Sequence, residues 1–113
     1  MSTESLAVGL REIEEQLRMM IDASANTYSA GQRIWETAFP LAPESPDLMW
    51  PLWLIWGSLT DHWENRPNER HLAEEEMLRA AREWLDLESD AAGRAAYLDR
   101  WVYEELGYAR KPQ

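Results

Sequence analysis

The stretch "LMWPLWLIWGSL", residues 48–59, carries three of the chain's seven tryptophans at three-residue steps. On a helical wheel, one arc of about 100°, the width of an ordinary core-facing stripe, holds Leu48, Leu52, Ile55, Trp56, Leu59 and Trp63. Trp50, Trp53 and Leu54 fall outside this arc. The first turns are therefore apolar on every side, and a helix that is apolar all round is buried all round. The sequence predicts that something covers Trp50 and Trp53.

Three kinds of cover are compatible with this pattern. The proline-rich connector of residues 40–46 could fold back onto the helix, a second copy of the chain could pack there, or a ligand or partner could bind. Tryptophan is enriched among the residues that dominate binding at protein interfaces. We therefore predict an interaction surface formed by Trp50, Trp53 and Leu54, used for homodimerisation, for binding a protein partner, or for both.

Apolar residues recur with helical periodicity along the rest of the chain, and no stretch predicts a strand. One stripe keeps its phase through Leu6, Leu10, Ile13, Leu17, Met20, Ile21, Ser24, Tyr28, Gly31, Trp35 and Phe39. This phase predicts one long or kinked helix over residues 4–39, which Pro40 ends. "ASANTYSAG" is weak in helix formers, however, and a capping box of Ser29 and Gln32 could start a second helix within it.

The remaining helices are bounded by capping residues and prolines. Pro51 suits a first helical turn, where its missing N–H costs nothing, and Gly107 suits a left-handed helix end. The connections are short, which predicts antiparallel neighbours. The prediction is a single all-α domain over residues 1–113, a small bundle of about four helices, with the connector 40–46 and helices at 4–39, 47–65, 69–87 and 90–106.

Composition excludes several classes of protein. The chain has no cysteine, which excludes disulfides and thiolate metal sites and suits the cytoplasm. Its net charge is −10 and no basic patch occurs, so we expect no direct nucleic-acid binding. Residues 48–59 would span only about 18 Å as a helix, short of the roughly 30 Å membrane core, so we expect no membrane insertion.

Catalytic and metal-binding signatures are weak. The two histidines are His62 and His71, and only His71 shares a helix face with acids, Glu74 and Glu75. The Glu-x-x-His pairs of di-metal helical bundles do not occur. No phosphate-binding loop or nucleophile elbow is present. We therefore predict no catalytic residue, no metal and no cofactor, and an interaction protein rather than an enzyme.

Ser24 and Gly31 place small side chains in the N-terminal stripe. They indicate either a close helix contact or the floor of a pocket walled by Tyr28, Trp35 and tryptophans of the next helix, since ligand pockets are mostly apolar. The leading hypothesis is an acidic helical protein that acts by protein–protein interaction through its tryptophan-rich surface. The alternatives are a small-molecule-binding or weakly catalytic bundle with this aromatic pocket, and an acidic mimic of nucleic acid.

Overall fold

Five α-helices and no strand make up residues 3–109, the part of the chain that the computed structural model describes. They are α1 (Thr3–Ile21), α2 (Thr27–Ala38), α3 (Met49–Asn65), α4 (Arg70–Leu85) and α5 (Ala91–Arg100). Two 3₁₀ segments, Phe39–Glu44 and Pro67–Glu69, precede α3 and α4, and a π-helical turn, Trp101–Glu105, continues α5. The prediction of an all-α fold is confirmed.

The prediction of one long or kinked helix over residues 4–39 is wrong, because α1 ends at Ile21 and a separate helix follows. Ala23 adopts a left-handed conformation with a φ of 62°. The N–H groups of Ala23 and Ser24 bond to the carbonyls of Met20 and Met19 at 3.4 and 2.9 Å. This pair of bonds is the Schellman arrangement, which satisfies the last carbonyls of a helix and turns the chain away from it.

Helix α2 starts with its own cap, at Asn26 rather than at the predicted Ser29 and Gln32. The Asn26 side chain accepts a hydrogen bond from the Ser29 N–H at 3.1 Å, which satisfies one of the free donors of the first turn. Because α2 starts after Asn26, it sets its own buried face, which consists of Thr27, Ala30, Gly31, Ile34 and Ala38. Of the α2 residues in the apolar phase that continued from α1, Gly31 is buried, whereas Tyr28 and Trp35 lie on the partly exposed side.

Helix α3 lies at the centre of the fold. It contacts α2, α4, α5, both 3₁₀ segments and the π-helical turn, and its Leu52, Ile55 and Trp56 are fully buried. The Ser45 hydroxyl accepts a hydrogen bond from the N–H of Met49 at 3.2 Å and caps the first turn. The all-round burial predicted for the start of this helix is thus supplied largely by the chain itself.

Gly31 lets α2 approach its neighbours closely. A Cβ atom at this position would lie 3.1 Å from Cγ2 of Thr60 on α3 and 3.2 Å from Sδ of Met77 on α4. Both distances are shorter than comfortable van der Waals contact, so a larger residue would push the helices apart. Of the two readings that the sequence left open for Gly31, this geometry supports the close helix contact.

One carboxylate joins three helices. Glu14 of α1 accepts hydrogen bonds at Oε2 from the Trp84 indole N–H at 2.9 Å and from the Arg94 guanidinium at 2.7 Å. The Arg94 guanidinium also lies 4.4 Å from the centroid of the Trp84 ring, within the range of a cation–π interaction. Because Trp84 belongs to α4 and Arg94 to α5, this cluster fixes α1 against the second half of the chain.

A second cluster of the same composition surrounds Trp101. Its indole N–H donates to Glu83 at 3.0 Å, and Arg100 donates to the same oxygen at 2.7 Å. Arg79 stacks 4.5 Å from the Trp101 ring centroid and pairs with Glu105 at 2.8 Å. Burial by itself would raise the pKa of Glu83, but the hydrogen bonds from Arg100 and Trp101 outweigh it and hold this pKa below its ordinary value.

The left-handed Ala23 gives a test of the break between α1 and α2. In this conformation a non-glycine residue destabilises the folded state by roughly 1–2 kcal/mol. Glycine avoids that strain, but its greater freedom in the unfolded chain lowers the free energy of unfolding by up to about 1 kcal/mol. We expect Ala23→Gly to raise the free energy of unfolding by about 0.5–1 kcal/mol in urea titrations. Ala95→Gly, at an exposed position inside α5, should lower it by about the same amount. Equal losses for both variants would mean that α1 continues through residue 23.

The contribution of the Trp84 hydrogen bond to the free energy of unfolding can be measured with Trp56 as the control. The buried indole N–H of Trp56 has no hydrogen-bond partner among the described residues. Replacing either tryptophan with phenylalanine removes a similar volume from the core. Only Trp84→Phe also removes a hydrogen bond to a charged group, worth about 1.5–3 kcal/mol. Urea unfolding should therefore show a larger loss for Trp84→Phe than for Trp56→Phe. Losses of the same size would show that the hydrogen bond from Trp84 to Glu14 contributes no net stability.

Candidate functional site

A cleft of about 460 Å³ lies along α3, bounded by α2 on one side and by the C-terminal segment. Its apolar lining comes from Trp35 of α2 and from Trp53 and Leu54 of α3, and its polar lining includes Asp61 and Glu64 of α3. The volume falls within the usual range for ligand pockets, about 300–1,000 Å³. The cleft therefore combines aromatic surface with negative charge.

Three aromatic rings, Trp35, Phe39 and Trp53, form a continuous array at the cleft; we call them the aromatic array. Phe39 stacks on Trp35 with centroids 5.4 Å apart and meets Trp53 edge-on at 5.7 Å. Gly57 leaves room for Trp35, because a Cβ atom there would lie 3.0 Å from Cδ1 and Nε1 of that indole. Phe39 itself is 53% exposed, so the array presents apolar surface to the outside.

Two carboxylates, Asp61 and Glu64, border the cleft; we call them the acidic rim. They are three residues apart on α3, hence on one face of the helix, and both residues are exposed. Within residues 4–109 neither forms an ion pair with an arginine or a histidine. Burial, with the adjacent Glu64 carboxylate, raises the pKa of Tyr28 above its ordinary value. The acidic rim thus places two carboxylates without an ion pair among the described residues beside the aromatic array.

The C-terminal segment reaches the cleft through a change of helix type. The Leu106 N–H bonds to the Trp101 carbonyl at 2.9 Å, which closes the π-helical turn, and Gly107 then turns the chain with a φ of 77°. The hydroxyl groups of Tyr108 and Ser58 lie within hydrogen-bond distance at 2.9 Å. Tyr108 therefore lines the cleft together with residues fifty positions earlier in the sequence.

The residues of the predicted interaction surface, Trp50, Trp53 and Leu54, are all half-buried. Trp53 and Leu54 line the cleft, and the Trp50 N–H donates to the Ser45 carbonyl at 3.0 Å. The 3₁₀ segment Phe39–Glu44 supplies part of the cover that the sequence predicted, because its first residue, Phe39, packs on Trp53. The aromatic surface that remains accessible therefore lies on Phe39 and Trp35, not only on the predicted residues of α3.

The residues of the predicted pocket, Ser24, Tyr28, Gly31 and Trp35, occupy separate environments. Ser24 is exposed in the loop between α1 and α2. Tyr28 stacks on Trp63 with ring centroids 5.6 Å apart, whereas Gly31 is buried against α3 and α4. Trp35 is the member of this group that lines the cleft.

The histidines are engaged in ordinary polar contacts or exposed. His62 Nε2 lies 2.8 Å from a carboxylate oxygen of Glu69, and His71 is exposed. Over the described part of the chain no three histidine or acidic side chains converge as metal ligands would. Glu74, which shares a helix face with His71, is half-buried.

Comparisons with protein-family models, with curated proteins and with solved structures found no match to this chain. Among residues 3–109 no helix combines the length and the apolar character needed to cross a membrane. The function has to be inferred from the geometry of the cleft.

Phe39, Ser58 and Tyr108 were not among the predicted site residues. Phe39 keeps right-handed helical geometry, with a φ of −52° and a ψ of −54°, so the proline that follows it gave no signal of its exposed position. Gly107 was expected to end the helix in a left-handed conformation, which it does, but its sequence position carries no information about which distant helix the next residue meets. The contact between Tyr108 and Ser58 depends on the packing of α5 against α3 and could not be predicted.

Proposed function

We propose that this chain acts by binding a partner protein with a basic surface, through the aromatic array and the acidic rim. The observation that carries the proposal is the position of Phe39. It is 53% exposed and contacts both Trp35 and Trp53. Three adjoining rings of this kind offer a large, rigid apolar surface, which is the composition of the energetic centre of many protein interfaces.

Charge supports a basic partner. The net charge is −10, and the acidic rim places two of these charges beside the aromatic array. A field of one sign accelerates encounter with partners of the opposite sign and disfavours partners of the same sign. A second copy of the chain brings the same acidic rim toward the interface, so we favour a different protein over a homodimer.

The nucleic-acid mimic is less well supported. A mimic of nucleic acid binds through carboxylates alone, whereas this cleft is lined by Trp35 and Trp53 as well as by Asp61 and Glu64. The small-molecule alternative shares Trp35 and Trp53 with the proposed surface, and it predicts that a free small molecule binds there more tightly than a peptide does.

The proposal predicts that Trp53 and Trp56, three residues apart, respond differently to substitution. Trp56→Ala removes a fully buried side chain and should lower the free energy of unfolding by about 3–5 kcal/mol. Trp53→Glu places a carboxylate on a half-buried face beside Asp61 and should leave the chain helical by circular dichroism. The same substitution should abolish binding, because an unpaired carboxylate is costly in an interface. If Trp53→Glu unfolds the chain, Trp53 belongs to the core and not to a recognition surface.

Photo-crosslinking in the cells that make the protein tests the surface itself. A photoreactive amino acid at position 39 should yield a covalent adduct with one other protein, identified by mass spectrometry. The matched control is position 72, where Leu72 is 42% exposed on α4. The adduct should disappear when Trp53→Glu is added. Equal adducts from both positions would argue against this surface, and an adduct made only with a second copy would replace the proposal by self-association.

A further inference from the structure

Within residues 3–109 arginine packs on tryptophan three times. The three pairs are Arg94 over Trp84 at 4.4 Å, Arg79 over Trp101 at 4.5 Å and Arg70 over Trp63 at 5.3 Å from the ring centroids. In the first two pairs the arginine also binds a carboxylate, Glu14 at 2.7 Å and Glu105 at 2.8 Å. Stacking and ion pairing thus act on one guanidinium together.

The cleft holds the same components without the arginine. Trp35 and Trp53 supply indole surface, Asp61 and Glu64 supply carboxylates, and no arginine, lysine or histidine of the described residues lines it. We infer that this cleft accepts an arginine side chain from a basic segment of the partner protein, stacked on the aromatic array and paired with the acidic rim. The inference rests on the proposed function and specifies which group of the partner enters the cleft.

Arginine fits this cleft better than lysine does. The guanidinium is planar, so it can stack on an indole and donate hydrogen bonds in its own plane to carboxylates at the same time. A lysine ammonium is a compact and strongly hydrated charge, and it offers no flat face for stacking. The cleft volume of about 460 Å³ leaves room for the flanking peptide backbone as well as for the side chain.

A protein source of the arginine is favoured over the free amino acid. The α-carboxylate and α-ammonium charges of free arginine offset each other, so electrostatics with the acidic rim does not by itself separate it from a peptide arginine. An arginine within a peptide chain has neighbours that can also contact the exposed Phe39 ring, which free arginine lacks. The cleft should therefore discriminate against the free amino acid.

The test is a titration of the ¹⁵N-labelled protein with short capped Gly/Ser peptides that differ only in the central residue, monitored at the indole N–H signals. The arginine peptide should shift the signals of Trp35 and Trp53 and leave that of Trp56 unchanged. The lysine peptide should bind several-fold more weakly, since it can pair but cannot stack. The citrulline peptide, of the same shape but uncharged, should not bind. Added salt should weaken binding of the arginine peptide.

Matched variants identify the carboxylates that matter. Asp61→Asn combined with Glu64→Gln should weaken binding of the arginine peptide about tenfold, the effect of losing two partly exposed ion pairs. Glu12→Gln combined with Glu75→Gln changes the net charge equally at exposed positions on α1 and α4, and should leave the affinity within about twofold, the effect of long-range charge alone.

Three results would overturn the inference. Equal binding of the citrulline peptide would exclude recognition of the charge. Equal weakening by both pairs of variants would show that only net charge matters, and tighter binding of free arginine than of the capped peptide would favour a small-molecule site. A failure of the arginine inference can be distinguished from a failure of the proposed function, because crosslinking at position 39 does not depend on arginine. If crosslinking gives a Trp53-dependent adduct but the arginine peptide does not bind, the proposed interface stands and arginine as its occupant is rejected.

Discussion

The apolar circumference of α3 at its N-terminal end is the constraint on which the rest of the structure depends. A helix with buried Leu52, Ile55 and Trp56 on one face and indoles on the opposite face cannot be satisfied by a single neighbour. Helix α2 packs on one side, α4 on another, and the 3₁₀ segment Phe39–Glu44 turns back across the start of the helix. The break between α1 and α2 separates the two N-terminal helices, so that each can direct its own apolar face into the core.

The cleft forms where this cover is incomplete. Phe39 reaches Trp53 but remains half in solvent, and the next turns of α3 carry Asp61 and Glu64 instead of further apolar residues. A surface that changes from aromatic to acidic within a few residues suits a ligand that is itself both flat and positively charged. The three internal stacks of arginine on tryptophan already use this chemistry to hold the helices together.

The periodicity of apolar residues located α3, α4 and the final helix to within a few residues, because each has one buried face and a clear terminating signal. The same reasoning failed at residues 22–26. The apolar phase happened to continue across the break, and alanine at position 23 gives no warning of a left-handed conformation, which glycine usually occupies. The polar residues Asp22 and Asn26, which terminate and restart the helices, were the available signal.

The candidate site was predictable only in its α3 portion. Trp53 and Leu54 were identified because they lie off the core arc of their own helix, which is a local property of the sequence. The positions of Phe39 and Tyr108 depend on how a connector and a C-terminal turn pack against α3, which is set by tertiary contacts. The clusters around Glu14 and Glu83 were missed for the same reason, since each joins residues from separate helices.

The central claim is that Trp56, Trp84 and Trp101 are buried, whereas Trp35 and Trp53 lie at a negatively charged cleft. It is tested most directly by paramagnetic broadening of the indole N–H signals with small nitroxide probes of opposite charge, each signal assigned by a Trp→Phe variant. The account predicts that the cationic probe broadens Trp35 and Trp53 more strongly than the anionic probe does, and that Trp56, Trp84 and Trp101 respond to neither. Protection of Trp53 equal to that of Trp56, or stronger broadening by the anionic probe, would contradict it.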